Sequence, residues 1–196
     1  MAYPFIVIEG IDGAGKATQV DYLSKLAKRR RDRVFLHKFP TESAAKIHEH
    51  LNGKIKLSED ELFELYSKDI EKFQDGIKRH LGLGWVICDR YAISTVAYQS
   101  VNEKIEKRVE QIEQMKLLKP DTVIWIDLPV DVAAARKQKQ KTPDVHEADR
   151  KFLQKVSDNY LHLYENEFMC SNWIRVWGDE KPEIIAKELR NALFEE

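Results

Sequence analysis

Residues 5–19 read FIVIEGIDGAGKATQ, an apolar run followed by a glycine-rich loop and the start of a helical pattern. Glycines let the backbone wrap around an anion, so that successive amides and the N-terminus of the next helix point at phosphate groups. A lysine at the end of such a loop can reach the terminal phosphates. The order of strand, glycine loop and helix therefore predicts a phosphate-binding loop. Its residues, called the glycine loop below, are Gly10, Ile11, Asp12, Gly13, Ala14, Gly15, Lys16, Ala17 and Thr18.

One position of the glycine loop departs from the usual pattern. The residue after the lysine is normally Ser or Thr, whose hydroxyl binds magnesium, but here it is Ala17. Thr18 follows and retains a hydroxyl. We therefore take Thr18 as a candidate metal ligand, and we expect the loop to bind nucleotide despite Ala17.

Short β-rich runs alternate with longer helical patterns along the whole chain. This alternation is typical of a parallel sheet covered by helices. We predict an α/β fold, a three-layer sandwich of the P-loop NTPase type with a five-stranded parallel sheet flanked by helices. The predicted strands are Phe5–Glu9, Arg33–Lys38, Trp85–Asp89, Thr122–Asp127 and Trp173–Val176.

The predicted helices carry apolar residues at helical spacing. Ser58 and Glu61 form a capping-box pattern at the start of the longest of them, which we expect to be continuous. The predicted helices are Lys16–Arg31, Ser58–Leu81, Asn102–Leu118, Val130–Gln140, Phe152–Phe168 and Pro182–Phe194.

Composition limits the classes of function. The chain has 196 residues, of which 43% are hydrophobic, enough for one substantial core, so we expect a single domain over residues 1–196. Lys and Arg number 32 against 33 Asp and Glu, a net charge of -1, which argues against a nucleic acid polymer held by bulk electrostatics. The basic run Lys28–Arg31 is either a nucleic-acid-binding patch or targeting signal, or the solvated end of a helix.

The sequence also bears on the compartment. Apolar runs are strand-sized and fall short of the roughly 20 residues that span a bilayer, so we expect no membrane partner. The N-terminus lacks the pattern of a secretory signal, and two cysteines are too few for a disulfide framework. We therefore expect a cytoplasmic protein in which Cys88 and Cys170 are buried thiols.

A second polar cluster follows the third predicted strand, which reads WVICDRY over residues 85–91. Ligands of open parallel sheets bind beyond the carboxyl ends of the strands. Asp89 and Arg90 are therefore expected to face the same crevice as the glycine loop. The alternative is that the pair forms a plain structural salt bridge.

Three stretches, FIVIEGIDGAGKATQ, FPTES and VICDRYAISTVAYQ, in this order and spacing, resemble the thymidylate kinase family of nucleoside monophosphate kinases. The resemblance covers nearly the whole chain. It implies ATP-dependent phosphorylation of dTMP to dTDP, a step of dTTP biosynthesis, with ATP as phosphoryl donor and Mg²⁺ as cofactor. It also implies a homodimer packed through helices.

The resemblance assigns catalytic roles to Lys16, Asp89 and Arg90. Arg90 resembles the arginine that grips the acceptor phosphate, a task suited to a planar, permanently charged fork. Asp89 would hold magnesium through water or orient the acceptor. Asp12 resembles the carboxylate that accepts a hydrogen bond from the deoxyribose 3'-hydroxyl, and Glu9 lies close enough in sequence to support it.

Further substrate-binding residues follow from the same resemblance. Tyr66 falls where the family places an aromatic residue that stacks on thymine, although its helical spacing fits core packing equally. Phe39 and Pro40 would pack against the nucleoside. The expected pocket and base-edge residues are Ser94, Thr95, Tyr98 and Gln99.

The donor nucleotide has its own expected contacts. Arg136 matches the arginine that stacks on the donor adenine, and the segment from Gly178 to Pro182 would form the opposite wall. The polar stretch at about 137–148 corresponds to the lid that closes over the phosphates and excludes water.

The chain departs from the family where arginines are usual. Ile70 stands in the long helix where an arginine usually follows the stacking aromatic, the loop 39–43 holds none, and the lid reads Asp144-Val145-His146-Glu147. Lys137, Lys139 and Lys141 either replace this charge or form a solvated face, and His146 either contacts the base region or is exposed. Two alternatives therefore stay open, a kinase for another pyrimidine nucleoside monophosphate and a nucleotide-binding homologue with little turnover.

Overall fold

A computed structural model describes residues 3–138 and 150–194 of the chain. Five parallel strands form one sheet in the order β2-β3-β1-β4-β5. The strands are β1 Phe5–Glu9, β2 Val34–Lys38, β3 Trp85–Asp89, β4 Thr122–Asp127 and β5 Trp173–Trp177. The predicted α/β architecture, a five-stranded parallel sheet flanked by helices, is confirmed.

Helices connect the strands and cover the sheet. In the part of the chain that the structure describes they are α1 Lys16–Arg29, α2 Ala45–Leu51, α3 Glu59–Lys72, α4 Gln74–Leu81, α5 Ala92–Tyr98, α6 Ile105–Gln114, α7 Val130–Gln138, α8 Arg150–Glu165 and α9 Pro182–Phe194. Helix α1 packs against α9, and α5 packs against α8. None of the described helices is long and apolar enough to cross a membrane.

The three central strands explain where the core lies. Every residue of β1, β3 and β4 is buried, whereas the edge strands β2 and β5 are partly exposed. This agrees with the continuous apolar runs that buried parallel strands require. Ile8 pairs with Asp89, so β1 and β3 end at the same level of the sheet. The loops that follow these two strands therefore meet at one edge.

The long predicted helix Ser58–Leu81 is divided at Phe73 into α3 and α4. The capping box at its start is present, with Ser58 Oγ accepting from the Glu61 amide. At the break, the Gln74 side chain donates to the Ile70 carbonyl at 3.0 Å and so occupies the acceptor that a continuous helix would give to the Gln74 amide. The prediction of one helix was wrong because this side-chain bond is invisible to apolar spacing.

Other boundaries move by a few residues. Helix α1 ends at Arg29 because Arg31 adopts φ 66, α6 is shorter than Asn102–Leu118, and α2 and α5 were not predicted. Cys88 is buried as expected, but Cys170 is only partly buried, which corrects the expectation for that thiol. Most of the predicted lid lies outside the described residues, as do Lys139, Lys141, Asp144, Val145, His146 and Glu147; of Lys137 only the backbone is described.

Candidate active site

The glycine loop joins β1 to α1 by a path that only glycine can follow at two points. Gly10 has φ +140, and a Cβ atom there would lie 2.6 Å from the Ile126 carbonyl oxygen. Gly13 has φ +85 and passes close to the Ala133 backbone. Side chains at these positions would combine a disfavoured backbone conformation with a steric clash. The loop is thus held against β4 and α7 with its amides near the start of α1.

Lys16 is buried at the first position of α1. Its Nζ donates to the Gly10 and Ile11 carbonyl oxygens at 3.0 Å each. Burial lowers the pKa of Lys16 to about 8, and the nearby Arg90 guanidinium adds to the decrease while Asp12 opposes it. A buried ammonium group of this kind, beside a helix whose first turn has no acidic residue, suits an incoming phosphate.

Arg90 stands directly after β3 with φ 69, and its amide donates to the Ile8 carbonyl at 3.0 Å. Its guanidinium forms an ion pair with Asp12 of the glycine loop. It also donates to the Tyr98 hydroxyl at 3.3 Å and lies over the Tyr98 ring at 4.9 Å. Burial alone would lower the pKa of Arg90, but Asp12 and neighbouring groups raise it well above its usual value, so the guanidinium stays charged.

Asp89 is buried at the last position of β3. Its Oδ1 atom has no hydrogen-bond partner among the described residues. A buried carboxylate oxygen without a partner is costly unless a ligand or water satisfies it. Oxygen ligands are those that Mg²⁺ prefers. The residue therefore fits the role of holding a hydrated magnesium ion near the phosphates.

Glu9 is fully buried and does not line the cavity that opens beyond the ends of β1 and β3. Its carboxylate accepts from the Tyr91 amide at 2.9 Å, from the Ser94 amide and hydroxyl, and from the Tyr160 hydroxyl at 2.9 Å. Burial raises the pKa of Glu9, and the hydroxyl of Ser94, the nearby Arg90 guanidinium and the hydroxyl of Tyr160 oppose the increase. Glu9 therefore links the end of β3 and the start of α5 to helix α8 through buried hydrogen bonds.

A cavity of about 250 Å³, the Arg90 cavity, opens beyond β1 and β3. It brings together most of the predicted substrate-binding residues with four that sequence reasoning missed. The predicted lining residues are Asp12, Phe39, Pro40, Tyr66, Arg90, Ser94, Thr95, Tyr98 and Gln99. The missed lining residues are Lys38, His48, Leu51 and Tyr91.

The missed residues could have been found in part. Lys38 and Tyr91 adjoin predicted motifs, at the end of β2 and directly after Arg90. His48 and Leu51 lie on α2, whose only sequence signal is the pair Ile47 and Leu51 at helical spacing. Without α2, nothing in the sequence assigns His48 to this cavity.

The segment after β2 is tied to two helices. The Thr41 amide donates to Asp69 Oδ2 at 2.7 Å, and the Thr41 hydroxyl donates to Asp69 Oδ1 at 2.6 Å. His48 on α2 is within 2.8 Å of the Thr41 carbonyl oxygen. Ile70, beside Asp69, is buried in the core. Ile70 is thus not among the residues that line the Arg90 cavity, and its side chain packs in the core.

The predicted donor side is also assembled around the glycine loop. Arg136 Nη1 donates to the Gly13 carbonyl at 3.4 Å, and its Nη2 lies 3.3 Å from Asp179 Oδ1. The guanidinium thus spans the space between the glycine loop and the 178–182 segment. The side chains of Ala17 and Thr18 are exposed at the outer end of the loop.

A phosphate-binding loop after the central strand, with a paired Asp-Arg motif after its neighbour, defines a phosphotransferase of the P-loop class. The family model for thymidylate kinase matches residues 8–176. The chain therefore belongs to the thymidylate kinase family.

Individual relatives agree with the family match. The chain is 38% identical over 162 residues to a probable thymidylate kinase of Methanocaldococcus jannaschii, covering 82% of this chain and 81% of that one. It is 30% identical to a thymidylate kinase of Prochlorococcus marinus strain NATL2A, covering 96% and 95%. A solved thymidylate kinase from Candida albicans superposes with a TM-score of 0.79 over 98% of this chain and 91% of that one, at 22% identity, which shows the common fold.

Proposed function

We propose that this chain transfers the γ-phosphoryl group of ATP to the phosphate of dTMP, giving ADP and dTDP. The observation that carries the proposal is the ion pair between Arg90 and Asp12, which joins the glycine loop to the Arg90 cavity. The donor phosphates and the acceptor phosphate would thus meet at one point, between two adjacent strand ends. Phosphoryl transfer depends chiefly on such positioning and on stabilisation of charge.

On the donor side, the amides of the glycine loop and of the first turn of α1 would bind the phosphates of ATP. Lys16 would exchange its two carbonyl partners for phosphate oxygens, which are stronger acceptors because they are charged. Arg136 would stack on the adenine, opposite the segment 178–182. The γ-phosphate would then lie at the side of the loop that faces Arg90.

On the acceptor side, Arg90 would bind the dTMP phosphate and Asp12 the 3'-hydroxyl of the deoxyribose. The nucleoside would occupy the Arg90 cavity between Phe39 and Tyr66, which line it from the β2 end and from α3. Since the acceptor phosphate oxygen is ionised near neutral pH, the reaction needs no general base.

Magnesium is proposed as the cofactor on the ground that Asp89 Oδ1 is buried and unsatisfied by protein groups. Asp89 would hold the ion through water, and Thr18 is a second candidate ligand. When bound, magnesium would supply positive charge that neutralises the charge building up on the donor phosphates. The protein's own part is to hold Asp89 at the end of β3, level with Ile8 of β1.

Assembly and location are proposals of the same kind. Family membership supports a homodimer packed through helices, which light scattering coupled to gel filtration would test. Membership also supports a cytoplasmic location, which fractionation of the source cells would test.

The function is tested by incubating the purified protein with ATP, Mg²⁺ and one nucleoside monophosphate at a time. ADP and the phosphorylated acceptor are both quantified. The proposal expects dTDP to form fastest. Faster phosphorylation of another monophosphate would show that dTMP is not the preferred acceptor. ATP binding without any product would contradict the proposal that the chain is a kinase.

A further inference from the structure

Thr41 fixes both the position and the tautomer of His48. All the polar atoms of Thr41 are bound, since Asp69 accepts from its amide and hydroxyl and His48 Nε2 lies 2.8 Å from its carbonyl oxygen. A carbonyl oxygen can only accept a hydrogen bond, so His48 Nε2 must carry the hydrogen. Nδ1 of the neutral imidazole is then a bare acceptor.

His48 lines the Arg90 cavity from α2, and the polar residues Ser94, Thr95, Tyr98 and Gln99 line the same cavity. Of the cavity residues near His48 in the chain and on α3, Phe39, Pro40 and Leu51 are apolar, Tyr66 carries a hydroxyl and Lys38 carries a charge. Ile70 is buried in the core and supplies no polar group from α3. Lys38 can only donate hydrogen bonds, so the bare Nδ1 of His48 supplies an acceptor beside the apolar groups, and a placed acceptor of this kind discriminates between ligands.

Thymine offers one partner for an acceptor nitrogen. Its N1 is bonded to the sugar and its two exocyclic oxygens accept hydrogen bonds, so N3–H is the single N–H donor of the base. Uracil carries the same N3–H. Cytosine has a lone pair at N3, which would face the lone pair of Nδ1.

We propose that His48 is a specificity-determining residue whose Nδ1 accepts a hydrogen bond from N3–H of the acceptor base, favouring thymine and uracil over cytosine. The inference rests on the proposed function, because it takes dTMP as the acceptor. It gives the chain its own means of base recognition in a cavity where α3 supplies no cation.

Two substitutions separate this role from a purely structural tie to Thr41. In His48→Asn, the amide oxygen can take the place of Nδ1 while the bond to Thr41 is lost. In His48→Gln, the amide nitrogen can take the place of Nε2 and keep the bond to Thr41 while the acceptor is lost. Lys46→Ala, at an exposed position of the same helix, serves as the matched control.

The measurement is kcat/KM for dTMP, dUMP and dCMP at pH 8, with thermal melting of each variant to confirm folding. For His48→Gln we expect dTMP and dUMP to fall together by about tenfold or more, with dCMP nearly unchanged. His48→Asn should keep most of the preference for dTMP over dCMP, and Lys46→Ala should match the wild type. The KM for ATP should not change in any variant.

The reverse pattern, in which His48→Gln keeps the wild-type preference and His48→Asn loses it, would overturn the proposal in favour of the tie to Thr41. An equal fall for all three acceptors would also overturn it. Calorimetric affinities of the same three monophosphates are measured in parallel. If the wild type fails to phosphorylate dTMP, the proposed function fails, and the affinities still decide whether His48 distinguishes the bases.

Discussion

Arg90 and Asp12 form an ion pair that bridges the loops after β3 and β1, and both side chains line one cavity. The pair sets the distance between the loop that would bind the donor and the guanidinium that would bind the acceptor. Tyr98 reinforces it, since its hydroxyl accepts from the Asp12 amide at 3.1 Å and from Arg90 at 3.3 Å. Both partners would therefore be in place before substrate binds, which lowers the cost of ordering the site.

Replacing Arg90 should affect the acceptor far more than the donor. We expect Arg90→Ala to lower kcat/KM for dTMP by about a hundredfold, because a charge-assisted bond to phosphate is lost and Asp12 loses its ion pair. ATP affinity, measured by calorimetry, should change by less than about threefold, and exposed Arg79→Ala should behave as the wild type. Equal losses for ATP and dTMP would contradict the assignment of Arg90 to the acceptor.

The activity should depend on pH through Lys16. Because its pKa in the free protein is lowered to about 8, the ammonium group loses its proton as the pH rises through that value. We therefore expect kcat/KM for ATP to be constant below pH 8 and to fall by up to about tenfold per pH unit above it. The kcat should stay constant to higher pH, because bound phosphate raises the pKa of Lys16 and keeps its ammonium group protonated.

Two variants check this assignment to Lys16. Lys16→Ala should nearly eliminate phosphoryl transfer with the fold intact. Lys16→Arg should keep residual activity without the decline above pH 8, because arginine stays charged. A decline that persists unchanged in Lys16→Arg would assign the titration to another group.

Glu9 should matter for stability rather than for substrate binding. We expect Glu9→Ala to lower the free energy of unfolding by about 3–5 kcal/mol, because four donors on Tyr91, Ser94 and Tyr160 lose their buried acceptor. Glu9→Gln should cost less, since it keeps one acceptor oxygen. Urea titration gives the free energies. A variant of full stability whose KM for dTMP alone is raised would instead place Glu9 in the sugar site.

The sequence predicted the sheet and the two motifs because each depends on neighbouring residues. Strands β1, β3 and β4 are buried on both faces and so appear as continuous apolar runs. Helix α5 was missed for a related reason, since all its residues from Ala92 to Ala97 are buried and no polar face marks a helical period. Helix α2 has seven residues, too few for a periodic pattern to stand out.

Site residues that belong to a motif next to a strand were predictable. Site residues whose surroundings depend on tertiary packing were not. Asp12 and Arg90 follow strands whose ends meet in any sheet of this type. The burial of Glu9, however, depends on Tyr160, which lies 151 residues further along the chain. The position of His48 depends on helix α2 and on the contact with the Thr41 carbonyl oxygen, and the amino-acid composition indicates neither.

Asp69 should control the acceptor side of the site without touching substrate. Its two carboxylate oxygens accept from the amide and the hydroxyl of Thr41, which hold the Phe39–Pro40 wall of the cavity against α3. An amide in its place keeps one acceptor only, so we expect Asp69→Asn to raise the KM for dTMP about three- to tenfold while the KM for ATP and the kcat change little. Glu71→Gln, an exposed carboxylate-to-amide change on the same helix, is the control and should leave all constants as in the wild type.

Because a loosened wall would admit other bases, the preference for dTMP over dGMP should also fall, measured as the ratio of their kcat/KM values. If Asp69→Asn lowered kcat instead and left the KM for dTMP unchanged, Asp69 would act on the transfer step and not on the wall.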